Sequence, residues 1–144
     1  MNRLCILAAL AFANAALCQT QWSAYPQNAD PVTNNLPVAR SGHVVVAVGP
    51  TRVFVHGGQT STTVSTIRSD AWIYDLVTLT WTELLPSGTA PQRTQHMAAY
   101  DPLRGKVVVF GGSSPTNNYH NQVHEYDVVT NTWAGPITVA GTAP

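Results

Sequence analysis

Two histidines four residues apart, His120 and His124, have a spacing that can serve metal binding. On a helix both rings would lie on one side, but the flanking residues are typical of a loop that leads into a strand. Four residues of extended chain span roughly 13 Å, and two ligands of one zinc ion cannot lie that far apart. We therefore predict that this pair holds no metal.

Carboxylates are the next candidates, because acid–base catalysis needs positioned titratable groups. Asp70 and Glu125 could line a cleft, but nothing in the sequence pairs these two carboxylates. Asp75 and Asp127 each end a strand-like run before a turn, where an aspartate usually caps backbone N–H groups. The sequence also lacks a Gly-X-Ser-X-Gly elbow, a phosphate-binding loop and a sialidase-type Asp box. We predict no catalytic residue, no metal, no cofactor and no enzyme activity.

The elements that must position these residues are repeated. Six landmarks recur in the same order after 52 to 54 residues: Arg40 and Arg93, His43 and His96, Gly57-Gly58 and Gly111-Gly112, Tyr74-Asp75 and Tyr126-Asp127, Trp81 and Trp133, and the Gly-Thr-Ala-Pro segments 88–91 and 141–144. A period near 50 residues indicates a supersecondary unit repeated in tandem.

Each unit contains four short runs rich in β-branched and aromatic residues, with Gly, Pro, Asn or Asp between them. The predicted strands are His43–Val48, Arg52–His56, Ala71–Leu76 and Thr80–Leu84, then Gln95–Tyr100, Lys106–Phe110, Gln122–Val128 and Asn131–Trp133. The second run of each unit is apolar without alternation, which predicts a strand buried on both faces. Four short antiparallel strands repeated in this way predict the blade of a propeller.

The motifs Arg-Ser-Gly-His (40–43), His-Gly-Gly (56–58), Trp-Ile-Tyr-Asp (72–75) and Thr-Trp-Thr-Glu-Leu (80–84) resemble a kelch repeat, and residues 93–134 resemble a second. This resemblance to the galactose oxidase/kelch superfamily implies an all-β fold, a kelch-type β-propeller fragment with two four-stranded antiparallel blades after a signal peptide. It implies structural roles for the landmarks Arg40, His43, Gly57, Gly58, Tyr74, Asp75, Trp81, Arg93, His96, Gly111, Gly112, Tyr126, Asp127 and Trp133. The copper oxidases of this superfamily need a Tyr–Cys crosslink, which a mature chain without Cys cannot form.

Within the repeat, His43 and His96 start the innermost strands, where we expect structural hydrogen bonds; lining of a central channel is the alternative. His56 stands where the second unit has Phe110, so we expect a packed aromatic substitute.

The N-terminus is typical of a secretory signal peptide. Arg3 precedes the apolar stretch Leu4–Leu17, and cleavage before Gln19 would also remove Cys5 and Cys18. Cleavage after Ala15 or Ala16 is a close alternative. A membrane anchor is the alternative, but the stretch is shorter than the ~20 residues that a bilayer requires. We expect a secreted, extracellular protein with no membrane insertion after cleavage. Its formal net charge of zero argues against nucleic-acid binding.

The predicted organisation is a signal peptide (1–18), an N-terminal segment (19–39) with a blade-closing strand near 20–25, kelch repeat 1 (40–92), kelch repeat 2 (93–134) and the start of a truncated third repeat (135–144). Propellers have about four to eight blades. Two blades leave faces uncovered, so we expect self-association. A longer propeller enzyme, oxidase-like or sugar-active, or a nonfunctional truncated product are the alternatives.

Binding is predicted at one end of the blades. Because successive strands alternate in direction, the long connections Gln59–Ser69, Pro86–Gln92 and Ser113–Asn121 must all emerge there. Long loops on a rigid scaffold are where binding residues concentrate. The candidate binding residues are Arg68, Asn117, Asn118, Tyr119 and His120. Polar groups with one aromatic ring favour a secreted kelch-repeat interaction module that binds a protein or a glycan.

Overall fold

The computed structural model describes residues 28–116 and 118–138. The predicted signal peptide, the predicted strand near 20–25, Asn117 and the Gly-Thr-Ala-Pro segment at 141–144 lie outside the described residues.

The described chain forms eight strands in two antiparallel sheets. The first sheet contains β1 (Val44–Ala47), β2 (Arg52–His56), β3 (Ala71–Asp75) and β4 (Thr80–Leu84). The second contains β5 (Met97–Asp101), β6 (Lys106–Phe110), β7 (Val123–Asp127) and β8 (Thr132–Ile137). A short 3-10 helix, Val64–Thr66, lies in the β2–β3 connection. Each strand pairs with its sequence neighbour, so the predicted all-β fold of two four-stranded blades is confirmed.

Strand β8 is longer than predicted. The sequence Ala134-Gly135-Pro136 normally ends a strand, because Pro lacks an N–H to donate. Here a β-bulge opposite His124 shifts the register, and pairing resumes between Ile137 and Val123. A bulge absorbs the extra residue, and β8 is the outer strand of its sheet, where Pro is tolerated. The strand therefore crosses the predicted boundary at residue 134.

The two blades pack face to face around aromatic side chains. Phe54 of β2 is fully buried and stacks on Tyr126 of β7, with 5.0 Å between the ring centroids. Val107 and Val109 complete this core from β6. Removing these apolar surfaces from water, together with offset ring packing, holds the blades together.

The sequence predicts that the second strand of each blade, β2 or β6, is buried on both faces. This is confirmed for β2 but not for β6. In β2, adjacent Phe54 and Val55 point to opposite faces, and both are buried. In β6, Val107 and Val109 face the first blade and are buried, whereas Phe110 on the other face is 38% exposed. No described residue covers that face, so the prediction for β6 is wrong.

The double glycines lie where inner strands converge. Gly57 and Gly58 have φ angles of +67° and +86°, in the left-handed region. A Cβ atom at Gly58 would lie 2.7 Å from the Ser41 carbonyl oxygen, and one at Gly112 would lie 2.7 Å from that of Thr94. Only glycine therefore permits the backbone to pass so closely.

The repeated aspartates cap turns at the opposite end of the blades. The Oδ1 atom of Asp75 accepts hydrogen bonds from the N–H groups of Val77 and Thr78, at 2.8 and 2.9 Å. Asp127 does the same for Val129 and Thr130, at 2.9 Å each. These backbone hydrogen bonds lower the pKa of both carboxyls. Both side chains therefore act as ionised structural acceptors.

Candidate functional site

The long connections form one end of the two-blade unit, and they are tied together. The Gln92 amide of the β4–β5 link donates a 2.7 Å hydrogen bond to the carbonyl oxygen of Ile67 in the β2–β3 connection. The Arg93 N–H donates to the carbonyl oxygen of Arg68 at 3.2 Å. The two segments therefore present one continuous surface.

The β2–β3 connection has its own internal structure. Gln59 forms bridges with both Ser41 and Ile67, and the Ile67 side chain is only 2% exposed. The Thr66 hydroxyl donates a 2.7 Å hydrogen bond to the Thr63 carbonyl oxygen, and it accepts one from the Ser61 N–H at 3.1 Å. A buried anchor and a local hydrogen-bond network thus fix a loop that the sequence marks only as rich in Ser and Thr.

This connection and the link enclose a shallow open cavity of about 450 Å³. Its lining is mostly polar: Thr60, Ser65, Thr66, Ile67, Arg68, Ser69, Asp70 and Gln92. Arg68 is exposed, and its positive charge acts on the Asp70 carboxyl, which lines the same cavity. The cavity therefore offers hydroxyl groups and an exposed guanidinium group to a polar ligand.

Asp70 lies at the cavity but is not available for catalysis. Its two carboxylate oxygens accept hydrogen bonds from Arg40 at 2.6 and 2.8 Å, and the Trp72 indole donates to it at 2.8 Å. Burial raises the pKa of this carboxyl, but the hydrogen bonds from Arg40 and Trp72 outweigh it and keep the pKa below its ordinary value. The partner of Asp70 is therefore Arg40, a contact that the sequence does not indicate. In the second blade, Arg93 donates to Gln122 instead, at 2.9 Å.

Glu125 is also paired, and it lies away from the long loops. It is central in β7, where Arg104 contacts its two oxygens at 2.6 and 2.7 Å and Lys106 contacts one at 3.0 Å. The hydrogen bond from Arg104 lowers the pKa of this carboxyl. The sequence does not show that these two cations face Glu125.

Two histidines meet at the junction of the blades. His56 at the end of β2 is fully buried, and His96 just before β5 is 6% exposed. Their rings approach with 3.1 Å between Nδ1 of His56 and Nε2 of His96, and His56 also packs on Trp133 at 4.8 Å. His56 is thus the packed ring that the repeat predicts. Its contact with His96 carries no sequence signal, because the equivalent of His56 is Phe110.

Burial sets the protonation of this histidine pair. It lowers the pKa of His56 to about 3, with a further contribution from His96. It lowers the pKa of His96 to about 4, assisted by the positive charge of Arg93. Both rings are therefore neutral at neutral pH.

The β6–β7 connection carries the exposed aromatic residue of this end. Tyr119 is 83% exposed, although its backbone is bridged to Ser113. Next to it, the Asn118 amide donates to the Thr116 hydroxyl at 3.1 Å. His120 is half-buried, and its backbone N–H donates to the Gly112 carbonyl oxygen at 2.9 Å. The described tip is therefore formed by Asn118 and Tyr119, with His120 turned partly into the fold.

The predicted binding residues thus divide into two groups. Arg68 lines the cavity, whereas the described part of 113–121 contributes none of its lining residues. Within the described ranges, no set of three or more His, Cys, Asp or Glu residues is arranged to hold a metal ion. In that same part of the chain, no helix has the length and apolar character needed to cross a membrane.

Comparison with known proteins connects this geometry to one family. Residues 14–144 match the family described as KLHDC2/KLHL20/DRC7 Kelch-repeats domain. The chain is 36% identical over 109 residues to acyl-CoA-binding domain-containing protein 4 of Arabidopsis thaliana, covering 75% of this chain and 15% of that protein. It is 32% identical over 106 residues to dynein regulatory complex subunit 7 of Chlamydomonas reinhardtii, covering 73% and 9%. It is 34% identical over 116 residues to human Kelch domain-containing protein 3, covering 73% and 29%. The chain therefore spans less than a third of the length of these relatives.

Proposed function

This chain belongs to the kelch-repeat family, and from that membership we propose that it is a secreted interaction module that binds another protein through its long-loop end. The observation that carries the proposal is the exposed Tyr119 on a paired backbone. The residue is 83% exposed, while its backbone pairs with Ser113. An exposed aromatic side chain on a fixed backbone loses little conformational freedom on binding, and such residues often dominate interface energetics.

The cavity beside Arg68 supports a binding surface at the same end of the molecule. Arg68 carries an exposed guanidinium group, and the hydroxyls of Thr60 and Ser65 lie around the same opening. Arg is enriched in protein interfaces, where its planar group binds carboxylates and carbonyl oxygens. Because this lining is rich in hydroxyls, a glycan is the second candidate ligand.

Absence of catalysis is part of the proposal. The two acidic residues considered for acid–base chemistry, Asp70 and Glu125, are ionised and occupied by cations. The His56–His96 pair is neutral and enclosed between the blades. Each of these groups is explained by its packing role.

Secretion rests on the predicted leader, with Arg3 followed by the apolar stretch Leu4–Leu17. A secreted module would meet its partner outside the cell, so extracellular proteins are the appropriate ligands to screen.

The test is equilibrium binding of the secreted chain to a panel of extracellular proteins and to a glycan array. Tyr119→Ala and Arg68→Ala should each weaken binding to the same ligand at least tenfold. The matched control is Leu103→Ala, because Leu103 is 97% exposed in a turn at the opposite end. Equal losses in the control, or full binding by both loop variants, would refute the proposed surface. Retained glycan binding without any protein ligand would favour the second candidate.

A further inference from the structure

The repeated buried arginine has a counter-ion in the first blade but not in the second. In the first blade, the Arg40 side chain is 3% exposed, and Asp70 of the same blade accepts two hydrogen bonds from it. In the second blade, Arg93 is 8% exposed, and Gln122 occupies the position equivalent to Asp70. A neutral amide oxygen accepts a hydrogen bond from the guanidinium group but does not balance its charge.

No side-chain carboxylate of this chain takes the place of that missing counter-ion. All seven Asp and Glu residues lie within the described ranges, and none of them forms an ion pair with Arg93. Burial lowers the pKa of the Arg93 guanidinium, whereas the hydrogen bond and charge of Glu125 raise the pKa of Arg104. A buried charge without a counter-ion is strongly unfavourable.

Unused hydrogen-bond donors surround the same guanidinium group. Arg93 donates to the carbonyl oxygen of Gln92 and to Oε1 of Gln122, which leaves further N–H groups available. Nε2 of His120 and Nδ1 of His96 are buried, and neither has a hydrogen-bond partner in the described part of the chain. Burial lowers the pKa of both rings, and the positive charge of Arg93 lowers it further. Both rings therefore lie within the electrostatic reach of Arg93.

We propose that Arg93 binds a small dissolved carboxylate anion, which provides the counter-ion that Asp70 provides in the first blade. The planar guanidinium group matches a carboxylate through parallel hydrogen bonds, as the contacts of 2.6 and 2.8 Å between Arg40 and Asp70 illustrate. A carboxylate is favoured over a halide ion because its two oxygens can accept from Arg93 and from a neutral histidine ring at once. This site is independent of the proposed binding of a protein partner.

Formate, the smallest carboxylate, is the probe for this site. Urea denaturation of the full chain at neutral pH measures its effect, with sodium chloride added to keep the ionic strength constant. A ligand that binds only the folded state raises the folding equilibrium constant by the factor one plus its concentration divided by the dissociation constant. From zero to about 100 mM formate, the constant should rise about tenfold, which corresponds to a dissociation constant of about 10 mM.

Gln122→Glu is the matched variant, because it places a carboxylate on a side chain of the same length. It should be more stable than wild type without formate, and formate should no longer raise its stability. Arg93→Gln removes the charge itself and should also be insensitive to formate, so it replaces Gln122→Glu if that variant fails to fold.

Nuclear magnetic resonance provides a direct measure of binding. Titration with formate should shift the Arg93 Nε–H signal of wild type in a saturable manner and leave that signal unchanged in Gln122→Glu. A wild type whose stability and Arg93 signal both ignore formate would overturn the proposal. An equal rise in stability in wild type and Gln122→Glu would overturn it as well, because it indicates a general salt effect.

Discussion

At the scale of single residues, the repeated tryptophan is buried to different extents in the two blades, so it contributes differently to stability. Trp133 is 4% exposed and contacts the rings of Phe54, His56 and Tyr126. Trp81 occupies the equivalent position in β4 of the first blade and is half-exposed. The sequence predicts both as structural anchors, because periodicity reports the position and not whether a neighbouring blade covers it.

Truncation of the two tryptophans should therefore have unequal effects. Trp133→Ala should lower the free energy of unfolding by about 3–5 kcal/mol, as for other buried aromatic residues. Trp81→Ala should cost less, because part of its surface already contacts water. Urea denaturation of both variants measures the difference, with Tyr119→Ala as an exposed control that should match wild type. Equal losses for Trp81 and Trp133 would contradict the assigned burial.

Acid should destabilise the blade junction through the histidine pair. His56 and His96 are neutral in the folded protein, with pKa values lowered to about 3 and about 4. In the unfolded chain they bind protons near pH 6.5, so the free energy of unfolding is largest above that pH. Below about pH 6 it should fall by roughly 1.4 kcal/mol per pH unit for each histidine.

His56→Phe isolates this effect, because Phe is the residue that the second repeat has at the same position. Between pH 6.5 and pH 5, the slope of stability against pH should fall by the share of one histidine, up to about 1.4 kcal/mol per pH unit, because His96, His120 and His124, whose pKa values are also lowered, keep their contributions. The charged and titratable groups around the pair are Asp70 and Arg40 near His56, and Arg93 and His43 near His96; they are unchanged in the variant. Urea midpoints measured across this range give both slopes; identical slopes would mean that His56 does not carry the acid sensitivity.

At the scale of elements, the strands were readily predicted from the sequence and the loop contacts were not. Bounds for β2, β4 and β6 agree residue for residue with the predictions, because turn residues flank short runs of β-forming side chains. The extension of β8 through Pro136 is not predictable from the sequence, since it depends on a bulge within β8, opposite His124 of its partner strand. The pairing of Arg40 with Asp70 was missed as well, because 30 residues separate them and only the folded sheet brings them together.

Two glycines with the same backbone conformation allow the cost of a positive φ angle to be separated from the cost of steric crowding at a Cβ atom. Gly57 and Gly105 have φ angles of +67° and +66°. A Cβ atom at Gly105 would meet its nearest neighbour at 3.6 Å, whereas one at Gly57 would lie 2.5 Å from the Arg93 carbonyl oxygen. Gly105→Ala should therefore lower the free energy of unfolding only by the cost of a left-handed backbone conformation, about 1–2 kcal/mol.

Gly57→Ala should lower the free energy of unfolding by clearly more than this, since backbone atoms at the blade junction must also move. Chemical denaturation of the two variants side by side gives the comparison. Similar losses would show that the close approach at the double glycine has no energetic consequence.

At the scale of the whole molecule, the kelch architecture was predictable because two motif-bearing repeats specify it. The division of the binding end into a cavity beside Arg68 and a tip at Tyr119 was not, because loop conformation depends on local hydrogen bonds such as that of Gln92 with Ile67. The exposure of Phe110 was also not predictable from the repeat, since it depends on what lies beyond the second blade.

Secretion should leave a defined N-terminus. Expression of the full chain in eukaryotic cells should release a product into the medium whose sequence begins at or near Gln19, because signal peptidase cleaves after the apolar stretch and its small residues. N-terminal sequencing provides the measurement. An intact Met1 on protein retained in the cytosol would contradict the proposed compartment.

Site-specific photocrosslinking tests whether this kelch module binds a protein through its long-loop end. A photoreactive amino acid replaces Tyr119 in one variant and Leu103 in the other; both positions are highly exposed, but they lie at opposite ends of the blades. The probe at 119 should capture an extracellular protein, and excess wild-type chain should compete this capture away. The probe at 103 should not capture that protein. Capture of the same protein from position 103 alone would contradict binding through the long-loop end.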